Sequence, residues 1–251
     1  MMFEWKPDMV RFMRRASEHT DFYKALGRLV LAHIAPNASV CDAGCGLGYL
    51  SLALSPYVRQ VVAVDVNADA LQVLHENCAR RGITNIRIVQ SDMGAYDGKP
   101  FDAMIFCLYG QTGEILTLSK RFCRETVCVV KRNEPFHRFS VGKHTRECGG
   151  CADVCTALKM QDIPYVEQPL TLALDQPFQS LGDAKHFYAL YSKDEDPAAI
   201  TNEFLLEKLK PTGRKDFPYV LPSARNLMLI TFSAGDIPGR HCLERPEGRQ
   251  K

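Results

Sequence analysis

The chain has 251 residues, 46% of them hydrophobic, with 31 Lys plus Arg against 29 Asp plus Glu for a formal charge of +2. That is enough apolar material for one good core, and no linker-like stretch or charge block divides it, so a single domain with an embellishment is expected. The basic residues are scattered rather than striped, which disfavours a nucleic-acid partner, and no apolar run reaches the ~20 residues of a membrane span.

The opening stretch carries charges at Glu4, Lys6 and Asp8 where a signal peptide needs an apolar core, so a cytoplasmic protein is expected. Residues 7–34 hold two amphipathic helical patterns. A short strand, Ser39 to Asp42, leads into a glycine-rich turn and a helix start at Tyr49 to Leu54. A second strand follows at Val61 to Val66. The helix at Ala68 to Arg81 spaces Leu71, Val73, Leu74 and Cys78 along one side and stops at Gly82. Three more short apolar runs, Ile86 to Ser91, Asp102 to Leu108 and Thr126 to Lys131, read as strands, with a helix near Glu114 to Cys123. Strands of this kind, buried on both faces and alternating with helices, belong to a parallel α/β sheet.

The stretch VCDAGCGLGYLSLAL, Val40 to Leu54, carries Gly44, Gly46 and Gly48 between strand and helix. Such turns bind nucleotides in doubly wound folds, because backbone N–H groups approach a ligand where no Cβ intervenes. A dinucleotide is disfavoured here: Tyr49 stands where the third glycine of G-x-G-x-x-G belongs, and Asp42 would face a pyrophosphate with like charge. A cationic nucleoside without phosphate, such as S-adenosylmethionine, fits that acid. Asp65 ends the second strand, where a carboxylate accepts from both ribose hydroxyls. Asp92 follows the third, placed to accept from an adenine amino group while Met93 packs on the ring.

In this order and spacing, DAGCGLGYL, AVDVN, QSDM and FDAMIFC resemble the strand-end motifs of class I S-adenosylmethionine-dependent methyltransferases. The resemblance spans residues 20–130 or so, about half the chain. It implies a Rossmann-like, doubly wound, seven-stranded sheet with helices on both faces. It implies Asp42, Gly44, Cys45 and Gly46 around the methionine part of the cofactor, Asp65 on the ribose, and Val66, Asp92 and Met93 about the adenine. Cys107 to Tyr109 then end the fourth strand beside the methyl group. By analogy, Tyr23 sits near the cofactor's carboxylate end or is simply a packed helix residue. Tyr109 either meets the acceptor or packs.

Methyl transfer from a sulfonium is an in-line displacement that consumes positive charge, so alignment in a dry site supplies much of the catalysis and a base is optional. The FCLYG segment lacks the N/D-P-P-Y/F sequence of similar enzymes that methylate amide or adenine nitrogens. A small-molecule acceptor is the leading expectation, with an RNA methyltransferase or a non-catalytic S-adenosylmethionine-binding protein as alternatives.

Beyond Lys131, a helix is expected at Thr145 to Met160, strands at Val166 to Leu174 and Asn226 to Phe232, and helices at Gly182 to Tyr191 and Ala198 to Leu209. Ser180 is a candidate cap for the first of these last two helices. The expected division is an N-terminal helical lid (1–36), a cofactor-binding core (37–174), a helical insertion before the last strand (175–225), that strand (226–235) and a flexible tail (236–251). Ten cysteines fall on apolar elements and are expected as free thiols. Cys148, Cys151 and Cys155 either grip a metal, with His144 or Cys242 as fourth ligand, or share a buried helix face. His137 and His144 line the acceptor pocket or lie at the surface.

Overall fold

A computed structural model describes residues 5–134, 139, 150–192 and 197–239. Two helices open it, α1 (Pro7–His19) and α2 (Phe22–Leu31). The core then alternates β1 (Ser39–Ala43), α3 (Tyr49–Leu54), β2 (Gln60–Asp65), α4 (Ala68–Arg81) and β3 (Ile86–Gln90). It continues through β4 (Phe101–Cys107), α5 (Thr112–Phe122), β5 (Cys123–Arg132), α6 (Cys151–Met160) and β6 (Tyr165–Ala173). An insertion follows, with β7 (Gln176–Phe178), α7 (Leu181–Tyr191), α8 (Asn202–Lys208), β8 (Lys210–Pro211) and β9 (Tyr219–Leu221), before β10 (Ala224–Ser233).

Seven strands form one sheet in the order β3-β2-β1-β4-β5-β10-β6. The first five are parallel, and β10 runs antiparallel between β5 and β6. Order reverses beside β1, so a crevice opens past the C-terminal ends of β1 and β4, where ligands of doubly wound sheets bind. Alternate residues of each strand feed opposite faces. Val40, Val61 and Ile105 pack with Leu26 and Val30 of α2 and Leu50 and Leu54 of α3. Cys41, Val62 and Met104 pack with Ile115 and Phe122 of α5 and Leu158 of α6.

Local chemistry sets the boundaries. In α4, the Asn67 side chain accepts from the Ala70 N–H at 2.8 Å, and Gly82 closes the helix in the left-handed region. Ser180 caps α7, accepting from the Asp183 N–H at 3.1 Å. Several strand ends shift by a residue or more from the sequence reading: β2 stops at Asp65, β3 at Gln90, and β5 starts at Cys123. The helix expected at 198–209 is divided into a 3-10 turn, Pro197–Ala199, and α8, because Thr201 restarts the helix by accepting from the Phe204 N–H. The insertion also contains an unanticipated antiparallel sheet, β7-β9-β8. The early part of the expected tail is anchored: Ile237 is buried and its carbonyl accepts from Lys120 Nζ at 2.6 Å. Residues 240–251, and 145–149 before α6, lie outside the described residues.

The insertion and α1 share a core. Phe12 is fully buried, with its ring centroid 6.1 Å from that of Phe178 and 5.1 Å from that of Phe187. Arg11 and Arg15 donate to the two carboxylate oxygens of Asp183 at 2.8 and 2.7 Å, and His186 meets Asp8 at 2.8 Å. No described helix is long and apolar enough to cross a membrane.

Candidate functional site

The turn after β1 is built by backbone geometry. The Gly44 and Cys45 N–H groups both donate to the Val64 carbonyl, at 2.8 and 3.0 Å, which folds the chain across the end of β2. Gly44 has φ +66°, and a Cβ there would lie 2.1 Å from the Tyr109 ring, so no other residue fits without moving that ring. Gly46 has φ +51°, and its Cβ position is 3.1 Å from the Trp5 indole. Two aromatic side chains, from β4's loop and the N-terminus, therefore cover the turn.

Asp42 is 1% exposed and accepts from the Ser51 hydroxyl of α3 at 2.6 Å. Burial pushes its carboxyl up to about 6; the Ser51 hydrogen bond opposes that shift and the Asp65 charge adds to it. Asp65 staples the turn: one oxygen accepts from the Gly46 N–H at 2.8 Å and the other from the Asn67 N–H at 2.9 Å. Each carboxylate oxygen has a further lone pair, so both remain able to accept from a ligand hydroxyl. Val66 follows, partly buried, with its carbonyl facing the Gln90 side chain at 3.4 Å.

Asp92 is exposed and caps the 3-10 turn Met93–Ala95 by accepting from the Gly94 N–H at 2.7 Å. Met93 departs from the sequence reading. Its side chain is 1% exposed and turned into the core against Cys41, 3.9 Å between sulfurs, so it offers no face to a ring in the crevice. An apolar side chain one residue past a strand end goes to whichever side has a vacancy, and here the core claims it.

At the end of β4, burial and the Asp42 charge push the Cys107 thiol up to about 12, and Lys131 pulls the other way. Burial likewise pushes the Cys45 thiol far up. Leu108, at φ +56°, is strained and half exposed. Tyr109 then stacks parallel to Phe106, 6.4 Å between centroids, and its hydroxyl donates to Glu114 at 3.2 Å. Sequence reading missed Lys131, which holds this loop. The residue is 8% exposed near the end of β5, and its ammonium donates to the Tyr109 carbonyl at 3.0 Å and the Gly110 carbonyl at 2.5 Å, while burial lowers its pKa. The signal was the lysine that ends the otherwise apolar TVCVVK. Trp5 and Ser51 were also missed, having no motif of their own.

Tyr23 of α2 stacks on Tyr49, 5.6 Å between centroids, and its hydroxyl contacts the Met13 sulfur at 3.9 Å. Burial, then the neighbouring Cys107 thiol, raise its pKa, with Asp42 contributing in the same direction. Tyr23, Asp42 and Cys107 thus lie close together at the end of β1 and β4, with Tyr109 over Gly44 beside them. The cysteine constellation lies elsewhere: Cys155 packs in the core under β5, its thiol pushed up to about 11 by burial, and Cys151 donates to the Asn133 side chain at 3.4 Å. No group of three or more His, Cys, Asp or Glu placed to hold a metal occurs among the described residues. Cys148, His137, His144 and Cys242 are outside them.

Residues 40–132 match the model of the methyltransferase domain. This segment is similar to that family. The chain is 39% identical over 56 residues to the uncharacterized protein YbxB of Bacillus subtilis, covering 22% of this chain and 28% of that one. It is 29% identical over 84 residues to a probable cobalt-precorrin-6B C(15)-methyltransferase of Methanobrevibacter smithii, covering 33% and 44%. The chain spans less than half the length of the curated relatives it matches. Among solved structures, the YcgJ protein of Bacillus subtilis shares the fold at 16% identity and TM-score 0.54, over 84% of this chain and 97% of that one. The methyltransferase segment begins in β1 and ends with β5, so it contains the glycine turn, Asp65, Asp92 and the Tyr109 loop.

Proposed function

We propose that this protein is an S-adenosylmethionine-dependent methyltransferase that transfers methyl to a small-molecule acceptor by in-line displacement. The observation that carries this reading is the charge of the crevice. Buried Asp42 and turn-stapling Asp65 flank Gly44 and Gly46, an arrangement that repels phosphate and favours a cationic nucleoside.

When bound, S-adenosylmethionine supplies a methyl group on a sulfonium, already activated for displacement. The chain's own residues hold and dry the site. Asp65 would accept from the ribose hydroxyls while continuing to fix Gly46. Asp42 would balance the cation, its ionised form stabilised by the charge it faces. Gly44 and Gly46 let Tyr109 and Trp5 close on the turn whose backbone would face the ligand, and Val66 and the Asp92 backbone would border the adenine. Tyr109, Cys107 and Tyr23 wall the methyl-facing side. Raised pKa values at the two tyrosines and Cys107 keep these groups neutral, so they position the acceptor and exclude water rather than act as ready-made bases.

A small acceptor is favoured by the FCLYG segment at the end of β4, which lacks the N/D-P-P-Y/F sequence of similar enzymes that methylate amide or adenine nitrogens. The scattered basic residues of the chain also offer no continuous stripe for a nucleic-acid strand.

Calorimetry with Asp65→Ala tests the site. The variant should bind S-adenosylmethionine about 1–3 kcal/mol more weakly, reflecting lost ribose hydrogen bonds; unchanged affinity would remove Asp65 from the site. Methyl-labelled cofactor incubated with metabolite, RNA and protein pools then tests the acceptor class. Label in a small-molecule fraction is expected, label confined to RNA would replace the acceptor, and cofactor binding with no labelled product would leave a binding protein.

A further inference from the structure

A second concavity lies at the opposite end of the sheet, below the N-terminal ends of β1 to β4. Its volume is about 850 Å³, and it is lined by Arg59, Arg87, Lys99 and Arg124, with Tyr96 and Phe101 contributing ring surface. It has a structural cause. The β1–β2, β2–β3 and β4–β5 crossovers each contain an α-helix, whereas residues 91–100 between β3 and β4 contain only the 3-10 turn Met93–Ala95. With no helix there, the lower corner of β2 and β3 stays uncovered, and Arg87 and Val62, paired across those strands, both reach the cleft.

The cations are arranged, not merely exposed. Asp102, fixed by the Ser39 N–H at 2.8 Å, accepts from Arg59 at 3.2 Å and from Arg124 at 3.3 Å, which sets two guanidinium groups side by side. Each keeps further N–H donors for a ligand. Four cations and no carboxylate are among the described residues that line the cleft, and Asp102 reaches it only through the two arginines it holds. Among the described residues, Arg87 and Lys99 form no ion pair, in contrast to Arg11, Arg15 and Arg214, which all pair with Asp. Helix C-termini attract cations, which accounts for Arg124 after α5 and Arg59 after the 3-10 turn Ser55–Tyr57. Arg87 in β3 and Lys99 in a loop serve no helix end. The floor is rigid: Tyr96 packs on Phe101 and Phe122 at 5.3 and 5.4 Å between centroids, and a Cβ at Gly98 would strike the Tyr96 hydroxyl at 2.1 Å.

We propose that this cleft is a second binding site, separate from the methyl-transfer crevice, for a small molecule that carries two or more phosphate groups. Paired guanidinium groups match phosphate oxygens, two unpaired cations supply the remaining charge, and the volume suits a nucleotide-sized ligand.

Isothermal titration of the full chain with ATP and with inorganic tripolyphosphate, in magnesium-free buffer at physiological salt, tests this. Saturable binding of one equivalent is expected for at least one probe. The double variant Arg87→Glu/Lys99→Glu should weaken it by about tenfold or more. The variant Arg214→Glu/Lys215→Glu makes the same charge change at a distant hairpin and should hold affinity within about twofold. Denaturation midpoints establish that both variants fold, and S-adenosylmethionine binding to the cleft variant keeps this test distinct from the crevice reading. No saturation with either probe, or equal loss in both variants, would overturn the proposal. So would RNA oligonucleotide binding that is tighter than either probe and lost in the cleft variant, which would assign the cleft to a nucleic-acid chain.

Discussion

The two ends of the parallel sheet are electrostatic opposites. At the C-terminal end, Asp42 and Asp65 surround a glycine turn covered by Trp5 and Tyr109. At the N-terminal end, Arg59, Arg87, Lys99 and Arg124 border an open cleft with no carboxylate among its described lining residues. A formal charge of +2 hides this separation completely. The contrast teaches that the near-neutral total is a sum of two local fields, and that each end selects ligands by the sign of its own field.

The largest break in that contrast should come from Gly44→Ala. The new Cβ meets the Tyr109 ring at 2.1 Å in a left-handed backbone, so cofactor affinity and stability should each fall, by about 3 kcal/mol or more at the turn. Calorimetry and urea midpoints check this, and an unaltered midpoint would mean that the ring swings away freely.

The acidic end should also respond to pH. Burial pushes the Asp42 carboxyl up to about 6 in the folded chain, against 3.8 for an ordinary aspartate. In that window the folded state binds more protons than the unfolded one, so this group's contribution to stability is present at low pH and is lost as pH rises through about 6. A cationic ligand favours the ionised acid. Its affinity should therefore rise about tenfold between pH ~5 and ~7, and a flat profile would separate the ligand from Asp42.

Trp5 is the single tryptophan of the chain, which makes the roof of the turn observable. Adding S-adenosylmethionine should change its emission in a saturable way with the calorimetric midpoint; binding without an optical change would place the ligand away from Gly46. The smallest effect belongs to Arg59→Ala. This half-exposed pair partner leaves Asp102 held by Ser39 and Arg124, so stability should shift by about 0.5 kcal/mol or less in a thermal melt.

Much of the fold was legible because its signals are local. Asn67 and Gly82 bracket α4, Ser180 opens α7, and the apolar runs at 61–66 and 102–108 could bury both faces only inside a parallel sheet. The insertion was less legible. Strands β7, β8 and β9 are two or three residues long, too short for a period-two pattern, and they exist because Phe178 and Leu221 join the core that Phe12 and Phe187 fill. In the crevice, Asp42 and Asp65 were readable from their places beside the glycines. Lys131 was not, because its partners are carbonyls 21 and 22 residues away, brought within reach by the β4–β5 pairing.

By itself, then, the sequence determined the alternating architecture, the glycine turn and the acids at the strand ends, since these depend on residue type and short spacing. Only the tertiary structure decided which way side chains turn and which distant groups meet. It sent Met93 into the core, placed Trp5 and Tyr109 over the turn, and left the β3–β4 connection without a helix. That last choice gathered Arg59, Arg87, Lys99 and Arg124, scattered over 66 positions of chain, around one cleft. Charge spacing along a chain does not report this, because electrostatic interaction depends on separation in space, and parallel pairing brings the starts of remote strands together.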